Sequence, residues 1–192
     1  MTKQPTLTVP PSGPLTAHCL RLHPNDALMP SLKQAASIIL SRLPEHRCGS
    51  AFLITAVGSL KDVTIRLANA SKFDGDGLGN DIKSYKQRFE IVSLTGTFSR
   101  HDGCHIHISL ADAEGIVIGG HLIDGTVFTT CEVVLGTADE VEFVREMDDE
   151  TGYRELVPLQ LQHNGLRQSV IRLTTVMIIA GVGFILGRVR SK

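Results

Sequence analysis

The amino-acid sequence predicts an α+β domain built on a mostly antiparallel sheet, with one long N-terminal amphipathic helix. Apolar residues recur at helical spacing from Ala27 to Leu43, which favours that helix. Between Arg88 and Leu135, runs of β-type residues alternate with tight-turn residues. Hydrophobic residues make up 42% and charged residues 20% of the 192 residues, as expected for a globular protein with a core.

The N-terminal part of the chain begins with a segment of low complexity. Residues 1–14 hold four prolines and no apolar run, so we predict a disordered leader and no secretory signal. Thr16 to Leu22 alternates well enough for a first strand. Pro24-Asn25-Asp26 offers a turn and an N-cap for the helix, which Pro44 ends. Four scattered cysteines without a Cys-x-x-Cys pair fit a reducing, intracellular compartment.

The rest of the domain is predicted to be strand, loop and turn. The Gly- and Asp-rich segment 73–81 is predicted to be a loop. Asp112 to Gly115 is a turn, and Asp124-Gly125 is typical of a two-residue hairpin. The predicted strands are 51–58, 61–67, 89–98, 103–110, 116–122, 126–135 and 141–145.

A His-x-His pattern on one predicted strand indicates a candidate metal site. Side chains alternate between the faces of a strand, so His105 and His107 point the same way. A hairpin centred on Ala113 places His105 directly opposite His121, about 5 Å away, with His107 roughly 7 Å away. Three imidazoles at such separations can share one ion, and the ligand type favours zinc or another divalent first-row metal.

Further groups are candidates to assist this site, and an alternative stays open. If Asp124-Gly125 forms a two-residue turn, Glu132 shares the face of His121 and is a candidate general base or hydrogen-bond partner of a ligand. His101 and Asp102 lie at the strand entrance and are candidates for the same role. The alternative is a half-exposed histidine pair without metal, because a one-residue slip in pairing would turn His121 away.

Several ordered segments resemble one known family, the PPC domain ("plants and prokaryotes conserved"). The resemblance covers about residues 15–159 and rests on Arg21–Asp26, Gly58–Leu60, Phe89–Thr97, His105–His107, Gly119–Leu122, Thr129–Val134 and Thr151–Leu156. It implies a homotrimer around antiparallel sheets. It also implies that, in prokaryotic members, the histidines matching His105, His107 and His121 can hold zinc. In plant members the domain follows an AT-hook and mediates nuclear protein–protein contacts. This chain has no Arg-Gly-Arg-Pro, and its formal net charge of −1 also disfavours nucleic-acid binding.

The C-terminal end is predicted to leave the domain. Residues 160–169 are polar and are predicted to be a linker. Residues 170–192 form a hydrophobic segment, since Leu173 to Gly187 carries no charge and is flanked by basic residues. We predict a C-terminal hydrophobic helix there, a candidate anchor in an organelle membrane. The alternative is an element buried in the oligomer, with the protein in the cytoplasm.

These observations favour one function and leave two others open. The favoured hypothesis is an oligomeric interaction or regulatory module with a three-histidine zinc site, whose protein partners are unknown. The chain has no Gly-x-Ser-x-Gly, phosphate loop or His-Glu-x-x-His, which favours a non-enzyme. The second hypothesis is a zinc-dependent enzyme acting on a small molecule, with Glu132 as base. The third, DNA-binding transcriptional regulation, is disfavoured by the missing AT-hook.

Overall fold

The computed structural model describes residues 9–68 and 81–161. Within them the chain forms eight strands and one helix. The elements, in chain order, are β1 (Leu15–Leu22), α1 (Leu28–Ser41), β2 (Ser50–Arg66), β3 (Ile82–Tyr85), β4 (Phe89–Ser99), β5 (Gly103–Ala111), β6 (Val117–Ala138), β7 (Val141–Met147) and β8 (Arg154–Gln160).

The main sheet has six antiparallel strands and closes on itself. Its strand order is β1-β6-β5-β4-β2-β3, and β6 also pairs with β2. Strands β2, β4, β5 and β6 therefore form a closed ring of paired strands around a core. A closed ring leaves fewer unpaired strand edges than an open sheet of the same strands. Closure needs bent strands, and β2 and β6 change register at several points along their shared ladder. Strands β7 and β8 form a separate two-stranded sheet.

The core explains which way the side chains of β5 point. Ile106, Ile108 and Leu110 are almost fully buried, so they fix the inward face of this strand. The residues between them, His105 and His107 among others, consequently lie on the opposite face. Apolar side chains of α1 cover the core from one side, and the buried ones follow helical spacing: Leu28, Leu32, Ala36 and Leu40.

The prediction of an α+β domain with a long N-terminal helix is wrong in its helical part. The described residues are predominantly strand, and α1 covers only 14 residues, Leu28–Ser41. The last turn tightens, because the backbone N–H groups of Arg42 and Leu43 donate to carbonyls three residues earlier. Pro44 disfavours helical geometry at the residue before it, so the helix stops earlier than the apolar pattern indicated.

Two predicted strand boundaries are also wrong. No turn forms at Asp124-Gly125, because β6 runs through it as one 22-residue strand. The Asp124 carboxylate instead accepts a hydrogen bond from the backbone N–H of Met29 in the first turn of α1. Likewise, segments 51–58 and 61–67 are one strand, β2, which passes through Gly58 at a φ of 146°. Strands β3 and β8 were not predicted.

The predicted membrane segment finds no support. Contrary to the prediction of a transmembrane protein, no helix within residues 9–68 and 81–161 is long and apolar enough to cross a membrane. The hydrophobic segment 170–192, most of the linker 160–169, most of the loop 73–81 and residues 1–8 of the leader lie outside the described residues. The domain limits 15–159 and the homotrimer stay predictions.

Candidate metal centre

The histidines come together because β5 and β6 form a tight hairpin. The backbone N–H of Asp112 donates to Ile116, and Gly115 adopts a φ of 79° that suits glycine. The resulting register places His107, rather than the predicted His105, opposite His121. A shift of two residues leaves each side chain on its original face, so all three imidazoles still point to the same side.

The separations between the three rings suit one metal ion. The ring centroids of His105, His107 and His121 lie 4.9, 5.1 and 5.6 Å apart. One candidate ligand nitrogen from each ring lies within 4.8 Å of the other two, and the Nε2 atoms of His105 and His107 are 3.0 Å apart. Nitrogens bound to one tetrahedral zinc ion are about 3.3 Å apart, since Zn–N bonds are about 2.0–2.1 Å long. Small side-chain rotations therefore suffice to form the site.

The electrostatic environment keeps two of these rings neutral. Desolvation lowers the pKa of His121 to about 4, and the nearby positive charge of Arg66 adds to the effect. Desolvation, followed by the proximity of His107, also lowers the pKa of His105. A metal ion needs the unprotonated ring nitrogen, so these shifts favour coordination near neutral pH. The buried Nδ1 of His121 has no hydrogen-bond partner among the described residues. The residues thus fit a divalent metal.

A cavity of about 530 Å³ opens beside the histidines. Its walls come from the ends of β2 and β6 and from the β7–β8 hairpin. Besides the histidines, its lining residues include Arg66, Gly119, Gly120, Arg145, Tyr153, Arg154 and Glu155. A cavity of this volume is in the range of small-molecule sites.

Asp102 fastens the β7–β8 hairpin to this cavity. Its carboxylate accepts hydrogen bonds from the backbone N–H of Arg145 and from the guanidinium of Arg154, at 3.1 and 2.7 Å. The first of these bonds is the main reason that the pKa of Asp102 is lowered, and the bond from Arg154 is the second. The guanidinium of Arg145 also donates to Thr97 on β4. Asp102 therefore has a positioning role in the structure.

The other predicted site residues lie elsewhere. The continuous β6 places Glu132 opposite Arg21 on β1 and Val57 on β2, and its side chain does not line the histidine cavity. Its predicted position rested on the turn that does not form. His101 lines a different cavity, and its ring nitrogen is 4.0 Å from the Glu45 carboxylate. The role of Glu132 as a base stays a prediction without support from its position.

Sequence analysis missed the charged residues of the cavity wall. Arg66 ends a strand whose pattern indicates only core packing, so no local signal marks it. Tyr153, Arg154 and Glu155 lie in a segment noted for the family resemblance alone. Arg145 gave no signal, because its position depends on how the β7–β8 hairpin docks.

The fold and the site together define a small β-rich domain with a clustered three-imidazole centre. The family model for the Plants and Prokaryotes Conserved (PCC) domain matches residues 10–139. The chain therefore belongs to this family, as the sequence motifs predicted.

Solved structures show the same fold. A plant- and prokaryote-conserved (PPC) protein of Pyrococcus horikoshii is 25% identical, with a TM-score of 0.61 over 81% of this chain and 100% of that one. A protein of Archaeoglobus fulgidus described as metal-containing is 24% identical, with a TM-score of 0.61 over 79% of this chain and 99% of that one. At this identity the second likeness concerns the fold alone.

The curated relatives are much longer proteins. The bifunctional protein GlmU of Synechococcus sp. strain JA-2-3B'a(2-13) is 39% identical over 147 residues, which are 76% of this chain and 21% of that protein. The chain thus spans about a fifth of the length of these relatives. In them, the similar segment is one part of a longer chain.

Proposed function

We propose that this protein is a PPC-domain interaction or regulatory module that binds a divalent first-row metal through His105, His107 and His121, with zinc as the first candidate. The observation that carries the proposal is the approach of three ring nitrogens to within 4.8 Å of one another. Three imidazoles leave at least one coordination position for water or a ligand. Occupancy of this position would supply a physical basis for regulation.

The role as a module draws support from the curated relatives, in which a similar segment is part of a longer chain. Self-association, as a homotrimer in line with the family resemblance, draws support from exposed apolar side chains on neighbouring strands. Ile54 and Val57 on β2 are 45% and 58% exposed, and Val92 on β4 is 56% exposed. Apolar side chains grouped at the surface commonly mark protein–protein contacts. Sedimentation equilibrium tests this directly, and a monomer at micromolar concentration would rule out the trimer.

The metal proposal is tested by elemental analysis of the purified protein. We expect close to one metal ion per chain in the wild type and almost none in a variant with alanine at His105, His107 and His121. The matched control replaces three histidines outside the cluster, His23, His46 and His101, all of which are exposed. Equal metal content in the two triple variants would refute the proposed site.

A second candidate function is a metal-dependent enzyme. The specific observation in its favour is the Glu155 carboxylate, which lines the same cavity as the histidines. A metal ion with an open position lowers the pKa of its bound water, and a nearby carboxylate is able to accept a proton. Turnover of an ester, lactam or phosphoester that needs both Glu155 and the histidines supports this candidate. Activity unchanged in Glu155→Gln would argue against this carboxylate as the base.

A further inference from the structure

We propose that the cavity beside the histidines binds a small organic oxyanion, a carboxylate or phosphate compound, with Arg66 as the residue that recognises it. The inference deepens the proposed function by naming the ligand class of that site. Its metal-dependent part rests on the proposed function, whereas the role of Arg66 rests on the charges and geometry of the cavity wall.

The wall of the cavity carries an excess of positive charge. Arg66, Arg145 and Arg154 all line it, whereas Glu155 is the single carboxylate among the described residues of the lining. Asp102 lies behind the wall and neutralises Arg154 through an ion pair of 2.7 Å. The histidines carry no negative charge that would offset the remaining arginines, and a bound divalent ion would add further positive charge. A concave site with unbalanced positive charge attracts anions.

The three arginines differ in how far they are already engaged. Arg154 is paired with Asp102, and the guanidinium of Arg145 donates to Thr97 and, at 3.4 Å, to the carbonyl of Arg154. Arg66, by contrast, makes no side-chain hydrogen bond or ion pair with any described residue. A guanidinium offers five donors in a planar fork that matches a carboxylate or phosphate. Arg66 is thus the arginine best able to take a ligand.

The position of Arg66 ties it to the metal centre. It lies directly opposite His121 in the ladder between β2 and β6, where facing residues are about 5 Å apart. Gly119 and Gly120 also line the cavity and have no side chains to fill it. Arg145 also belongs to the cavity lining, and its buried Nε has no hydrogen-bond partner among the described residues. One ligand is therefore able to meet Arg66 and the histidine centre together.

Calorimetric titration of the intact protein with inorganic phosphate and, separately, with malonate tests the inference. We expect saturable binding of at least one probe, and the stronger probe identifies the oxyanion. Arg66→Gln is expected to weaken binding about tenfold or more, because a hydrogen-bonded charged group is lost. Arg66→Lys keeps the positive charge but loses the planar fork of donors, so its affinity for the probe should lie between those of the wild type and Arg66→Gln. The matched control, Arg42→Gln, removes an exposed arginine outside the cavity and should bind like the wild type.

Metal content measured on the same samples separates the two proposals. Arg66-dependent binding by a protein that holds no metal would leave the oxyanion site standing and refute the metal site. Metal-loaded wild-type protein that binds neither probe would overturn the oxyanion site alone. So would Arg66→Gln protein that keeps its metal and its circular dichroism spectrum and binds as tightly as the wild type.

Discussion

Replacing Gly120 with alanine should damage the fold and the histidine centre together. A Cβ atom at Gly120 would lie 2.5 Å from the backbone carbonyl oxygen of Arg66, roughly 1 Å closer than van der Waals contact allows. The obstacle is backbone within the β2–β6 ladder, so no flexible side chain is able to move aside. Forcing extra volume into a packed site of this kind typically costs about 1–3 kcal/mol. We expect a loss of that size in the free energy of unfolding.

The same displacement should weaken metal binding. Gly120 directly precedes His121, and the residue it would push against, Arg66, is the partner of His121 across the ladder. Disturbing the surroundings of a metal ligand commonly costs about 10–100-fold in affinity. Urea unfolding of metal-free protein at one fixed concentration measures the first effect, and competition with a zinc chelator measures the second.

Gly115→Ala provides the matched control. A Cβ at Gly115 meets nothing within 4 Å, but its φ of 79° disfavours alanine, so we expect a loss of about 1 kcal/mol. Metal affinity should not change, because the turn is remote from the rings. A Gly120→Ala protein with wild-type stability and wild-type metal affinity would show that β2 and β6 accommodate the extra methyl group at no cost. The reasoning would then be wrong.

Two further predictions concern the supports of the site. Ile106 lies between the two β5 histidines on the opposite face and is 0% exposed. Ile106→Ala should therefore lower the free energy of unfolding by about 2–5 kcal/mol, measured by urea titration. A loss below about 1 kcal/mol would contradict the packing described. The pKa of Asp102 is lowered from its ordinary value of 3.8, so its contribution to stability is present above that pH and is lost as the pH falls through the folded-state pKa. Asp102→Asn should therefore be less stable than the wild type at pH 6, and the difference should shrink in acid. If the stability difference between the wild type and Asp102→Asn grew as the pH fell, the pH dependence would have the opposite sign and this account would be refuted.

Local sequence pattern predicted the structure of the histidine hairpin better than that of the other segments. The alternation around Ile106 predicted correctly that His105 and His107 share a face, and Gly115 marked the turn correctly. Asp124-Gly125 misled, because a residue pair typical of hairpins lies instead within a long strand. There the Asp124 carboxylate serves the first turn of α1. Turn propensity is local, whereas this role depends on a helix nearly a hundred residues earlier.

The sequence by itself determined which side chains share a face of β5 and β6. Period-two alternation places the imidazoles on one face and the core residues on the other, and a two-residue shift in register does not change this. It also carried the family, through motifs kept in order along the chain. Only the tertiary structure decided which groups surround the imidazoles. Closure of the sheet through the bent β2 and β6 places Arg66 beside His121, and docking through Asp102 brings Arg145 and Arg154 to the cavity. Such contacts join residues far apart in the chain, so no short-range periodicity encodes them.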